Sequence, residues 1–207
     1  MASKSIVDKL NGYKNVSSWL LWDEMFKHDE VAKKYIFKTD DINTEYVFVA
    51  LNASYDSDNP LDLWGSFHTT SRGDQNIKEA FKGSCYQGSY ITDLLKYKDV
   101  ENIKVFNDGD SVNAKDFICN YDNHRVFNAN LRILKDEISV YDDNVKIFAL
   151  GWDVYYMLKY NPSFNDKRIY YIPHFSPRVH NNGNSYKLAV DNALKQYEFP
   201  RLLDEVH

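Results

Sequence analysis

The chain has 207 residues, 43% of them hydrophobic, which is enough for one domain with a substantial core and gives no reason to expect a second. Its formal net charge of -5 gives no overall pull toward a polyanion, so a nucleic-acid partner would have to be met by a local basic patch. Two cysteines, Cys85 and Cys119, are too few for a four-thiolate cluster, and no stretch approaches the roughly 20 apolar residues of a membrane helix.

The N-terminus carries no long apolar run of the signal-peptide kind, so a cytoplasmic protein with reduced thiols is expected. From Val16 to Tyr35, the residues Trp19, Leu20, Met25, Phe26 and Val31 recur at helix-like spacings among Lys and Asp. This spacing predicts an amphipathic helix and makes residues 1–40 a helical cover over the rest. The run Tyr46 to Leu51 then predicts a buried strand ending at Asn52. A long polar connection follows, through Asp56, Asp58 and Pro60 to Gly65-Ser66-Phe67 and Arg72. Connections of that length in a compact domain are often functional.

Gly88 to Leu95 reads as a second strand, ending near Asp93 or shortly after. Residues 96–122 are charged and irregular, with a turn at Asn107-Asp108-Gly109-Asp110. Val126, Ile133, Leu134 and Ile138 mark a helix, and Val145 to Leu150 a third strand broken by Gly151. Trp152 to Tyr160 reads as a helix stopped by Asn161-Pro162, Arg168 to Ile172 as a fourth strand, and Leu188 to Tyr197 as a closing helix. Strands alternating with helices predict an α/β fold, a three-layer α/β/α sandwich around a central, mainly parallel four-stranded sheet, in a single domain over 1–207.

In such a sheet ligands sit beyond the carboxyl ends of the strands. Asn52 and His174, each just past an apolar run, would therefore face one crevice although far apart in sequence. His174 follows Pro173 and precedes Ser176-Pro177, a stiff extended segment that can aim a side chain. Each residue also has an ordinary structural explanation. A strand-terminal Asn is a common turn residue, and a lone His is more often a packed one.

The order of these motifs carries a likeness. A strand ending in Asn52, a strand reading Gly88-Ser-Tyr-Ile-Thr-Asp93, a strand ending Phe148-Ala-Leu-Gly151 and the run His174-Phe-Ser-Pro-Arg178 resemble the uracil-DNA glycosylase superfamily. The resemblance spans residues 46–190, and is greatest to the single-strand-selective monofunctional and mismatch-specific branches. It implies a monofunctional enzyme that flips a base from DNA and cleaves its glycosidic bond, as a monomer and with no metal, cofactor or iron–sulfur cluster. Asn52 would hold the attacking water. His174 would donate to the base O2 as negative charge gathers there, and a neutral ring suffices.

By the same resemblance Phe67 is the ring under the flipped base, with Trp64 its rival and core packing an equal explanation for either. Asp93 stands where related proteins can carry Asn to read uracil N3–H and O4. Ionised, a carboxylate only accepts; protonated, it regains a donor. It could equally cap the next segment or pair with Lys96. Ser176, Arg178 and His180 lie in the loop that similar enzymes press against DNA, Arg178 suiting a phosphate. Lys96, Lys98 and Lys104 would add a positive rim or form an ordinary solvated surface, and Asp56 or Asp58 could supply a base.

The departures from the pattern are definite. Leu51-Asn52-Ala53-Ser54 lacks the glycine and proline that flank Asn in those branches, and Phe175 replaces a proline. Two other readings therefore stand: a nucleobase- or nucleic-acid-binding member of the same fold with weak or no hydrolysis, and a hydrolase of free nucleosides.

Overall fold

A computed structural model describes residues 2–22, 26–29, 34–52, 64–69, 71–102, 104–105, 120–176, 180, 182–200 and 202. Helix α1 (Ala2–Leu10) precedes strand β1 (Ser17–Trp19) and a hairpin of β2 (Phe26–Asp29) and β3 (Lys34–Phe37). Then come β4 (Asn43–Asn52), α2 (Arg72–Phe81), β5 (Ser89–Leu95) and a small ribbon of β6 (Tyr97–Asp99) and β7 (Lys104–Val105). Helix α3 (Tyr121–Ile138), β8 (Lys146–Leu150), α4 (Trp152–Lys159), β9 (Arg168–Ile172) and α5 (Gly183–Gln196) complete it.

The main sheet has five strands in the order β1-β5-β4-β8-β9. The pairs β5–β4, β4–β8 and β8–β9 are parallel, while β1 runs antiparallel on the outer edge of β5. The expected four parallel strands are all present, but the sheet is mixed because of this fifth strand. Chain order reverses about β4: the sheet grows to one side through β5, then to the other through β8 and β9. In doubly wound sheets such a reversal marks where ligands are bound, here the carboxyl ends of β4 and β8.

Alternation along β4 splits the core. Val47 and Val49 join one cluster with Leu131, Leu134 and Ile138 of α3 and Val154, Met157 and Leu158 of α4. Phe48 and Ala50 join the other, with Ile77, Ala80 and Phe81 of α2 and Tyr186, Val190, Ala193 and Leu194 of α5. Each helix contributes a stripe at i, i+3, i+4 or i+7, as a helix packed on a sheet must. Helices therefore cover both faces. None among the described residues is long and apolar enough to cross a membrane.

The N-terminal expectation is corrected. Val16 to Tyr35 holds strands β1, β2 and β3 in place of a helix, and among the described residues of 1–40 only Ala2–Leu10 is α-helical. Ser17, Ser18 and Trp19 instead pair with Thr92, Ile91 and Tyr90, and Trp19, Leu20 and Leu21 are fully buried. A short apolar run is ambiguous by periodicity alone, and here the open edge of β5, which needed hydrogen bonds, took it as a strand. Helix α2, where no element was expected, begins at Ser71, whose side chain accepts from Asp74 N.

Candidate functional site

Four parallel strands deliver the site residues to one edge. Asn52 closes β4 and is half-buried. Asp93 is paired with Ala50 across β4 and β5, so it lies on the face that Phe48 and Ala50 share with α2 and α5. By the same alternation Asn52, two residues beyond Ala50, belongs to that face.

His174 arrives from the far edge. It lies two residues past β9 and packs on the end of β8: a Cβ built on Gly151 would meet His174 Cβ at 3.3 Å and Cδ2 at 3.4 Å. Gly151 has φ +99°, in the range that favours glycine, and its N–H donates to Ile172 O at 2.9 Å. A side chain there would be strained and would crowd the imidazole.

The backbone N–H of Ser176 donates to His174 Nδ1 at 3.0 Å. An amide can only donate, so Nδ1 is the acceptor and the neutral ring carries its proton on Nε2. Among the described residues nothing accepts from Nε2. Burial holds the pKa of His174 below the usual histidine range; Asp153 opposes this and His180 adds to it. The ring is thus a neutral donor with a defined tautomer. Phe175 stacks on it, centroids 4.5 Å apart and planes 16° apart. Phe175 O accepts from Asn76 Nδ2 of α2 at 3.0 Å, which ties the segment to the next layer.

Phe67 and Trp64 part company. Trp64 packs on Trp19 at 5.6 Å in the cluster with Val47 and Val49. Phe67 sits in the opposite cluster, edge-on to Phe175 at 6.2 Å. Only Phe67 shares the face of Asp93. Both residues have φ +66°, a conformation that for bulky side chains costs about 1–3 kcal/mol each and persists only when surroundings enforce it. Here the enforcement is visible. Ser18 Oγ donates to Trp64 O at 2.6 Å, His68 Nε2 donates to Trp19 O at 3.0 Å, and Thr69 N donates to Asp74 Oδ2 at 2.9 Å. Burial lowers the pKa of His68 to about 4, so it holds this clamp as a neutral ring.

Asp93 is 3% exposed, and its Oδ1 has no hydrogen-bond partner among the described residues. Burial pushes its pKa up to about 8, against the pull of Lys96 and with further upward pushes from Asp74 and Glu137. It is therefore mostly protonated at neutral pH, one oxygen a donor and the other an acceptor. Lys96 is not its carboxylate partner. The Lys96 ammonium donates to the backbone oxygen of Asp93 and pairs with Glu137 Oε2 at 2.6 Å.

Other expectations divide. Lys96 is fully buried, not part of a solvated rim, because Glu137 draws its ammonium inward. His180, expected against DNA, is 9% exposed and packs on Tyr186 at 5.2 Å, a residue of the helix α5 that the capping box of Asn182 and Ser185 starts. Ser176 is half-buried and acts through its backbone, donating to His174 and accepting from His180 N at 3.1 Å. Asp56, Asp58, Cys119, Arg178 and the turn at 107–110 lie outside the described residues.

Sequence reading missed Asn76 and Asp74. Ser71-x-x-Asp74 is a capping signature, and Asn76 interrupts the apolar stripe of Gly73, Ile77, Ala80 and Phe81. A polar residue on a buried helix face needs a partner. Asn76 finds it in the backbone next to His174.

No family model, curated protein or solved structure matches the chain.

Proposed function

We propose that the protein is a monofunctional DNA glycosylase-like hydrolase that cleaves the N-glycosidic bond of a flipped base, acting as a cytoplasmic monomer. The observation that carries this reading is His174, a half-buried neutral imidazole fixed by Ser176 N–H as an Nε2 donor at the sheet's switch point. As the bond breaks, positive charge spreads over the sugar and negative charge gathers on the departing base. A preorganised Nε2–H aimed at the base O2 stabilises that charge without reorganising. Asn52 holds the water that adds to the anomeric carbon, and Phe67 supports the base from one side.

Protonated Asp93 supplies the base code. Its carbonyl oxygen accepts an N–H and its O–H donates to a neighbouring C=O, the pattern of an imide edge such as uracil or xanthine presents. The orphaned oxygen supports this, since an unpaired buried polar atom costs about 1–3 kcal/mol and a bound base relieves it.

The test is single-turnover incubation, enzyme in excess, with uracil-, hypoxanthine- and xanthine-containing oligonucleotides, single- and double-stranded. Abasic product with an imide base is expected. No product with any of them rejects the activity. The altered first motif, Asn52-Ala53-Ser54, favours a second reading, a base-binding protein without turnover. That reading requires retained affinity for the same oligonucleotides and no cleavage.

A further inference from the structure

Helix α4 leaves the crevice at Gly151 with two unlike faces. Val154, Met157 and Leu158 hold it to the sheet. Its outer face carries Trp152, Tyr156 and Tyr160, which are 53%, 52% and 73% exposed. These rings are ordered. Tyr171 of β9 stacks on Trp152 at 3.9 Å with planes 14° apart, Trp152 on Tyr156 at 5.6 Å and 27°, and Tyr156 on Tyr160 at 5.8 Å and 13°. The wider spacings mean the rings are offset, leaving part of each face to solvent.

We propose that this ladder is a stacking platform for the single strand that flanks the nucleotide held in the crevice. The inference rests on the nucleic-acid reading above and adds a site to it. Three observations select a strand as the occupant. The ladder begins where the crevice ends: Trp152 follows Gly151, on which His174 packs, and Tyr171 lies three residues before His174. Residues four apart on a helix rise by about 6 Å, a spacing that successive unstacked bases of an extended strand can match. Lys159 is exposed on the same helix face, one turn from Tyr156, where it can meet a phosphate.

A second copy of the chain fits less well. Three rings at these exposures offer on the order of 400 Å², about half of the roughly 800 Å² per partner that a stable interface buries. The stripe is one side chain wide.

The experiment uses the full chain and an unmodified, fluorescein-labelled dT12, with binding read by anisotropy at low salt. Trp152→Ala, Tyr156→Ala and Tyr160→Ala are compared with wild type, each checked for an unchanged melting temperature. Each substitution is expected to weaken binding about tenfold, and Ser139→Ala, at an exposed position just after α3, to leave it unchanged. Quenching of the Trp152 fluorescence on binding supports the same contact. Wild type failing to bind dT12, or all three variants binding as it does, overturns the proposal. So does a wild-type dimer in sedimentation that Tyr156→Ala dissolves. Base release with unaltered dT12 affinity in the variants sinks the platform alone; dT12 binding through these rings with no base release sinks the glycosylase reading alone.

Discussion

Two buried carboxyls lie against β5, one on each face of the sheet, and they are treated in opposite ways. Glu137 of α3 has a counter-charge, although its Oε2 makes no hydrogen bond beyond that ion pair among the described residues. Its Oε1 accepts from Tyr90 Oη at 2.7 Å and Thr92 Oγ1 at 3.1 Å, and its Oε2 faces the Lys96 ammonium. Asp93, two positions before Leu95 on the other face, has an oxygen with no partner among the described residues. Burial raises the pKa of both. For Glu137 the Lys96 ammonium and two hydroxyls offset that push by direct contact; for Asp93 Lys96 opposes it only through space, and Asp74 and Glu137 add to it. A buried carboxyl closed by an ion pair reads as architecture, whereas one with an unpaired oxygen at the carboxyl ends of the strands reads as a place for a ligand.

The largest expected effect breaks the architectural side. Lys96→Met leaves Glu137 buried without its cation and should cost about 3–5 kcal/mol in urea unfolding. A loss below about 1 kcal/mol would mean the pair is not holding the two elements together. On the crevice side, His174→Ala should slow single-turnover base release about 100-fold or more while leaving the unfolding midpoint near wild type. Gly151→Ala should act in the same direction and more weakly, through strain at φ +99° and crowding of the imidazole.

Asp93→Asn sharpens the contrast through pH. The folded-state pKa of Asp93 is about 8 against an ordinary 3.8, so the folded chain holds a proton the unfolded chain releases between those values. The stabilisation from its neutral form is complete below about pH 4 and is lost as pH rises through about 8. Asn cannot ionise. The variant should therefore gain stability relative to wild type from pH 5 to pH 9, measured by urea midpoints. Base preference should match wild type at pH 6, where Asp93 is protonated, and diverge at pH 9, with wild type weaker on uracil. Equal divergence at both values would remove Asp93 from base reading. The smallest effect is the control: Arg125→Ala breaks an exposed pair with Glu101 and should cost less than about 1 kcal/mol.

Much of the frame was legible because its signals are local. The apolar runs at Val47–Leu51 and Lys146–Leu150 form strands buried on both faces, Arg168–Ile172 forms the edge strand beside them, and Gly151 and Asn161-Pro162 bound α4 where turn chemistry requires. The N-terminal segment was not legible. Val16 to Leu21 is apolar enough for helix or strand, and the deciding partner, the open edge of β5, lies some seventy residues away. The burial of His180 and Lys96 was hidden for the same reason: each depends on a residue of another element, Tyr186 and Glu137.

The sequence by itself determined the alternation of strands and helices, the strand-end positions of Asn52 and His174, and the choice of Asp93 as the residue to question. Periodicity and turn residues act within a few positions, so they survive without coordinates. Only the tertiary structure decided that Phe67 and not Trp64 shares the face of Asp93, that Ser176 fixes the tautomer of His174, and that burial raises the pKa of Asp93. Those outcomes depend on burial and on contacts between distant segments, which set the local dielectric and the hydrogen-bond partners that no local pattern encodes.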